Sequence, residues 1–128
     1  MNKFTRRGFQ SFKNIVVAVA NGSEEIETIT VVDILRRTQM ADVTLAKVDE
    51  NEGGGLMNIM SRGVKVEADQ FFDEQLFQKN WFDALVLPGG LGGANAFKDS
   101  QFLVQKTQEF LKEEKVVGAI CASPAVFL

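Results

Sequence analysis

Three short apolar runs constrain the fold of this chain more than any other feature. Asn14-Ile15-Val16-Val17-Ala18-Val19-Ala20, Phe82 to Leu87, and Val116 to Ile120 are rich in β-branched and aliphatic residues and lack strict polar alternation. A strand with one wet face alternates. A continuous apolar run is buried on both faces, as in a parallel sheet covered by helices on each side. Each run stops abruptly, at Asn21-Gly22, at Pro88-Gly89-Gly90 and at Cys121. Between them the pattern changes period. Ser23 is expected to cap a helix with Glu24 and Glu25 in its first turn, Ile26, Ile29, Val32 or Asp33, and Leu35 at helical spacing, and Arg36-Arg37 at its end. Ala41 to Val48 reads as a second strand and residues 49–55 as a loop. Leu56 to Met60 and Val64 to Glu67 read as short strands about a turn at Ser61-Arg62-Gly63. A Phe-rich, partly acidic stretch leads to Phe82. Ser100 is expected to cap a helix reaching about Glu114, with Phe102, Leu103, Phe110 and Leu111 on one side. The order predicts an α/β sandwich with a mainly parallel sheet.

Composition narrows the chemistry. The 128 residues suit one domain, and a net charge of −3 with a pI near 5.0 favours neither nucleic acid nor an acidic membrane. No apolar run is long enough to span a bilayer. Histidine is absent, which removes a self-contained Cys-His dyad, a Ser-His-Asp triad and a His-based metal site. The single cysteine excludes an internal disulfide and suits a reducing compartment, so a cytoplasmic location is expected. Residues 1–12 differ from the rest: they carry Lys3, Arg6 and Arg7 and no acid. They read as an extension, either plain and disordered or a signal for organelle import, with residues 13–128 as the N-terminal part of one domain. Only Ala125 to Leu128 follow Ser123-Pro124, too few to sustain a helix alone, so the chain reads as cut short.

Three features carry chemistry. In Gly118-Ala119-Ile120-Cys121-Ala122-Ser123-Pro124 a thiol stands between a buried strand and a helix start, among small neighbours that let the backbone turn sharply. A helix N-terminus lowers a thiol pKa. The local pattern alone fits a buried core thiol equally well. Glycines after Leu87 let backbone N–H groups approach an oxyanion, or serve packing only. Among Glu24, Glu25 and Glu27, most acids at such a position complement the helix dipole, but Glu27 lies one turn in, near Ile26 and Ile29 to Val31, where a half-buried carboxyl tends to hold its proton. Three strand ends would meet at one sheet edge.

Taken together, Gly22-Ser23-Glu24-Glu25-Ile26-Glu27-Thr28, Val32-Asp33, Arg37, Ser61-Arg62-Gly63-Val64-Lys65, Ala68-Asp69, Asp83 to Gly90 and Ala119-Ile120-Cys121-Ala122 resemble successive motifs of the DJ/ThiJ/PfpI superfamily, in order from about Asn14 to the last residue. The resemblance implies a flavodoxin-like homodimer without cofactor or metal. It implies Cys121 as an oxidation-prone nucleophile, Glu27 as the protonated carboxyl bonded to it, Gly89, Gly90 and Ala122 as backbone groups for an oxyanion, and Arg37 and Arg62 near an interface or the mouth of the site. The activities it implies are a glutathione-independent glyoxalase or a deglycase acting on small aldehydes, an oxidative-stress sensor or chaperone, or a peptidase or amidotransferase-like hydrolase. Members of the superfamily continue past this point and place a histidine there, and Leu91 stands where a polar residue occurs in a relative.

Overall fold

The structure, a computed structural model, describes residues 12–48 and 55–128. The expectations for residues 1–11 and for the loop at 49–54 lie outside it. The chain runs β1 (Lys13–Val19), α1 (Glu25–Arg37), β2 (Ala41–Lys47), β3 (Met57–Ile59), β4 (Lys65–Glu67), β5 (Gln70–Phe71), α2 (Glu74–Lys79), β6 (Ala84–Leu87), α3 (Leu91–Asp99), α4 (Gln101–Lys112), β7 (Val116–Ala119) and α5 (Ala122–Val126). Five strands form one sheet in the order β5-β2-β1-β6-β7, every pairing parallel, while β3 and β4 form a separate antiparallel hairpin. The α/β architecture is the one the apolar runs predict.

The run in β1 is unbroken because the strand lies at the centre with both faces covered. Val16, Ala18 and Ala20 pack with Leu85, Leu87, Phe97, Leu103 and Phe110, whereas Val17 and Val19 face Val32, Val43, Leu45 and Met60. Alternate residues thus enter two separate cores, and each must be apolar. One core is rich in rings: Phe77 makes edge contacts with Phe72, Phe82, Phe102 and Phe110.

Several expectations need correction. Ser23 does not cap α1; Glu24 does, accepting from the Glu27 N–H at 2.9 Å, while the buried Ser23 hydroxyl accepts from the Ala20 N–H. The buried side of α1 consists of Glu25, Thr28 and Val32, and Ile26 and Ile29 face outward, Ile26 at 74% exposure. The inward side is mixed: Val32 is buried and Leu35 packs against the same core, as the spacing predicts, while Glu25 and Thr28 in the first turns are buried with polar partners. Leu111 is likewise exposed on α4, although Ser100 does cap that helix, accepting from the Leu103 N–H at 3.2 Å. Short elements went unseen: β5 and α2 occupy the Phe-rich stretch, and α3 begins inside the glycine run at Leu91. α5 is helical despite its brevity because it packs on α3, with the Phe127 ring 6.4 Å from that of Phe97. Pro124 sits at its third position, within the first turn, where a missing N–H costs no hydrogen bond. Finally, β7 is not a buried strand. Among the described residues it is one of the two edge strands of the sheet, opposite β5, and Val116 and Ile120 are exposed.

Candidate functional site

Parallel strands deliver their C-terminal ends to one edge, and three of those ends build the site. β1 leads into the turn at residues 20–24, β6 into Pro88-Gly89-Gly90, and β7 into Cys121. The sheet register carries β7 next to β6, since Leu87 pairs with Ala119 and the Ile120 N–H donates to the Leu87 carbonyl at 3.2 Å.

Cys121 occupies the junction between β7 and α5 with φ 61° and ψ −116°, a backbone shape that a residue with a Cβ rarely adopts. The strain lifts the thiol out of the strand line, and the residue is exposed. Two contacts hold the turn. The Ser123 N–H donates to the Ile120 carbonyl, and the buried Ser123 hydroxyl donates to the Pro88 carbonyl at 2.5 Å.

Gly89 lies between the thiol and Glu27. A Cβ placed on it would stand 2.6 Å from the Cys121 Cβ and 2.7 Å from Glu27 Oε1, so only glycine fits there. Its N–H donates to Glu27 Oε1 at 3.0 Å, and its carbonyl accepts from the Glu24 N–H at 3.0 Å. Gly90 has φ 86°, and a Cβ on it would lie 2.6 Å from the Glu24 nitrogen. The first turn of α1 and the Gly89-Gly90 strip are therefore pressed together backbone to backbone. Gly93 makes the same approach from inside α3, where a Cβ would come 2.8 Å from the Ser23 Cα.

The expected site residues separate into two groups. Cys121, Glu27, Gly89, Gly90 and Ala122 come together at the sheet edge. Within that group the Gly89 N–H is engaged by Glu27, which leaves the N–H groups of Gly90 and Ala122 as the candidates for binding an oxyanion. Arg37 and Arg62 are surface residues outside the hydrogen bonds that join Glu27 to Gly89. Arg37 pairs with Asp33 one turn back on α1, and the Arg62 guanidinium donates to the Ser61 carbonyl of its own turn.

Sequence reasoning missed two supports. Ser123 was read only as a helix start, and the spacing between it and Pro88 gives no local hint of their bond. Glu25 was grouped with acids that serve the helix dipole. In fact it is buried, its Oε2 accepts from the Ser61 hydroxyl at 2.7 Å, and its Oε1 accepts from the Arg62 N–H. Burial opposes its charge, but the hydrogen bonds from Ser61 and from backbone groups of its own residue, Arg62 and Val64 outweigh that and hold its carboxyl below the usual carboxylate range. Among the described residues no group of three or more Cys, Asp and Glu side chains is arranged to hold a metal, and no helix is long and apolar enough to cross a membrane.

An exposed thiol, a carboxyl anchored through one oxygen, and backbone donors at a strand-to-helix turn are the parts needed to add a sulfur to a carbonyl and stabilise the resulting oxyanion. The sequence pattern of the DJ-1/PfpI family matches residues 13–128. The chain is 43% identical over 118 residues to Protein DJ-1 homolog B of Arabidopsis thaliana, covering 92% of this chain and 25% of that protein. It is 31% identical over 113 residues to the glutathione-independent glyoxalase DJ-1 of Schizosaccharomyces pombe, covering 84% and 57%. Among solved structures, oxidized Toxoplasma gondii DJ-1 superposes with a TM-score of 0.81 at 37% identity over 91% of this chain and 59% of that one. Drosophila melanogaster DJ-1beta does so with 0.79 at 35% identity, covering 90% and 58%. The chain thus spans only part of the length of each of these relatives.

Proposed function

Because the chain belongs to the DJ-1/PfpI family, and because an exposed thiol stands across a single glycine from Glu27, we propose that it carries the nucleophile of a glutathione-independent glyoxalase acting on small 2-oxoaldehydes such as methylglyoxal. The observation that carries this reading is the Gly89 wedge, which brings the Cys121 Cβ and Glu27 Oε1 to the same point. The glyoxalase name of the fission-yeast relative supports it.

In the proposed reaction the Cys121 sulfur forms a bond to the aldehyde carbon, and the aldehyde oxygen becomes an alkoxide held by the Gly90 and Ala122 N–H groups and is then protonated. The proton on that carbon is removed and returned at the neighbouring carbonyl carbon, turning the hemithioacetal into a thioester through an enediol. Water cleaves the thioester, releasing lactate and the thiol, so methylglyoxal and water account for every atom. With Oε1 of Glu27 occupied by Gly89, Oε2 is the oxygen that gives and takes protons. The test is lactate formation from methylglyoxal without glutathione. Cys121→Ala is expected to lower it at least 100-fold, the scale of losing a covalent nucleophile, and undiminished turnover in that variant would refute the reading.

A second reading is favoured by the exposure of the thiol and by the oxidized state named for the Toxoplasma relative. Here Cys121 reacts with two molecules of hydrogen peroxide, gaining two oxygens as a sulfinate and releasing two waters, and acts as an oxidative-stress sensor. Mass spectrometry after mild peroxide decides it: a Cys121 peptide that gains no oxygen while the methionines stay intact sinks this version. The outward Ile26 and Ile29 on α1, with Ile59 and Val64 on the β3–β4 hairpin, favour a homodimer through that face, with Arg37 and Arg62 at its margin. Sedimentation equilibrium checks this, a monomer at all concentrations being the contrary result. A thiol that must stay reduced suits the cytoplasm.

A further inference from the structure

The acids at the start of α1 divide by direction. Glu27 reaches toward Gly89 and the thiol, while Glu25 turns the other way, into the β3–β4 hairpin. We propose that Glu25 is a positioning residue of the same site, setting the distance between Glu27 and Cys121 by clamping the hairpin to the first turn of α1. This rests on the thiol-centred reading above and extends it to a residue which does not touch the reacting atoms.

The chain of contacts is continuous. Glu25 grips both the Ser61 hydroxyl and the Arg62 N–H. That hairpin is then tied to the β1–α1 turn at three further points: the Ser61 N–H donates to the Ser23 carbonyl at 2.8 Å, the Gly22 N–H to the Ile59 carbonyl at 2.9 Å, and the Ile59 N–H to Asn21 Oδ1 at 2.8 Å. The turn so fixed is the one that packs on the Gly89-Gly90 strip and bonds it through the Glu24 N–H. Glu27 follows within the same helical turn and closes the circuit on the Gly89 N–H. The hairpin has only three residues in each strand and belongs to no larger sheet, so its position rests on these side contacts, and Glu25 is the one that binds the tip at Ser61 and Arg62 directly to the α1 helix. A carboxylate that satisfies two donors at once fixes both the height and the rotation of α1 against the thiol.

The experiment is stopped-flow alkylation of Cys121 by iodoacetamide in the 128-residue chain, with lactate formation measured beside it. The folded fraction is read separately from the urea unfolding curve of each variant, so that the alkylation rate constant of the folded protein reports the site itself. Glu25→Ala is expected to slow alkylation about 10-fold, as removal of an orienting partner does elsewhere. It should lower kcat by a similar factor and leave KM within about twofold. Glu25→Gln keeps an oxygen for one of the two donors and should recover to within about threefold of the parent. If Glu25→Ala does not fold, Glu25→Gln and Ser61→Ala carry the test, each slowing alkylation about threefold. Their double variant should be no slower than the slower single one, because both break the same contact. Rate constants in folded Glu25→Ala, or in both Glu25→Gln and Ser61→Ala, that match the parent overturn the proposal. Because alkylation needs no methylglyoxal, a parent chain that makes no lactate but whose thiol reactivity depends on Glu25 would reject the glyoxalase reading alone.

Discussion

The two walls of the site are built in opposite ways. On the acid side, the chain is buried without interruption from Val16 in β1 to Ala20 just after it, and the turn there is held by the hairpin, by Glu25 and by the close glycine contacts with Gly90 and Gly93. On the thiol side, β7 is the outer strand, Val116 and Ile120 are exposed, and the turn rests on Ser123 and on the packing of Phe127 against Phe97. The contrast shows how labour is divided in such a site. Glu27 is set in the most over-determined part of the described fold, and Cys121 stands at an edge, on a strained backbone held by fewer contacts.

That contrast can be broken most severely from the acid side. Gly93→Ala puts a methyl into the Ser23 backbone, where neither partner has room to yield, and is expected to cost about 3 kcal/mol in urea unfolding. A loss below about 0.5 kcal/mol, the scale of an ordinary surface change, would show that the close approach is loose. On the thiol side, Ser123→Ala leaves the Pro88 carbonyl without its buried donor and is expected to cost about 1–2 kcal/mol. Equal losses from the two variants would erase the difference between the walls. Cys121→Gly sharpens it in the other direction. Glycine accepts the left-handed backbone at φ 61°, so this variant should unfold about 1 kcal/mol later than the parent while losing all thiol chemistry. A neutral or destabilising result would mean that the turn stores no strain.

The smallest effect expected is one of pH. Hydrogen bonds hold the Glu25 carboxyl below its ordinary value, and an unfolded glutamate titrates near pH 4.3. Its contribution is therefore complete above about pH 4.3 and is lost as the pH falls through the lower folded-state value. The stability gap between the parent and Glu25→Gln should narrow on going from pH 7 to pH 3, followed by urea midpoints. A gap that stays constant would show that the carboxylate's charge plays no part in the clamp.

Much of this was legible in the sequence, and the rest was hidden for physical reasons. The central strands announced themselves because two-sided burial demands unbroken apolar runs, and the Ser100 cap because its bond is local. The thiol at its turn, and the glycines after Leu87, were marked by small residues that the backbone path needs. The first turns of α1 were misread because Glu25 is buried through hydrogen bonds to a partner that periodicity does not reveal, its carboxylate reaching 36 residues along the chain to Ser61, while Thr28 satisfies its hydroxyl on the Glu24 carbonyl of its own helix. α3 was missed because its glycines are chosen for close approach to Gly22 and Ser23, against helix propensity. The edge position of β7 is not marked in its own residues, since an apolar run looks the same at the centre of a sheet as at its rim, and the chain spans only part of the length of its relatives.

The bond between Glu27 and Gly89 joins residues 62 apart in the chain, and Cys121 lies further on still. Contacts of such sequence separation form late, after the loop-closure entropy has been met by the parallel strands between them. A newly made or partly unfolded chain therefore bears an ordinary cysteine, with no acid beside it and no imposed backbone shape. On the proposed thiol chemistry, any reactivity at Cys121 beyond that of an ordinary cysteine arrives only with completed folding, and the change in its alkylation rate then serves as a clock for assembly of the whole sheet.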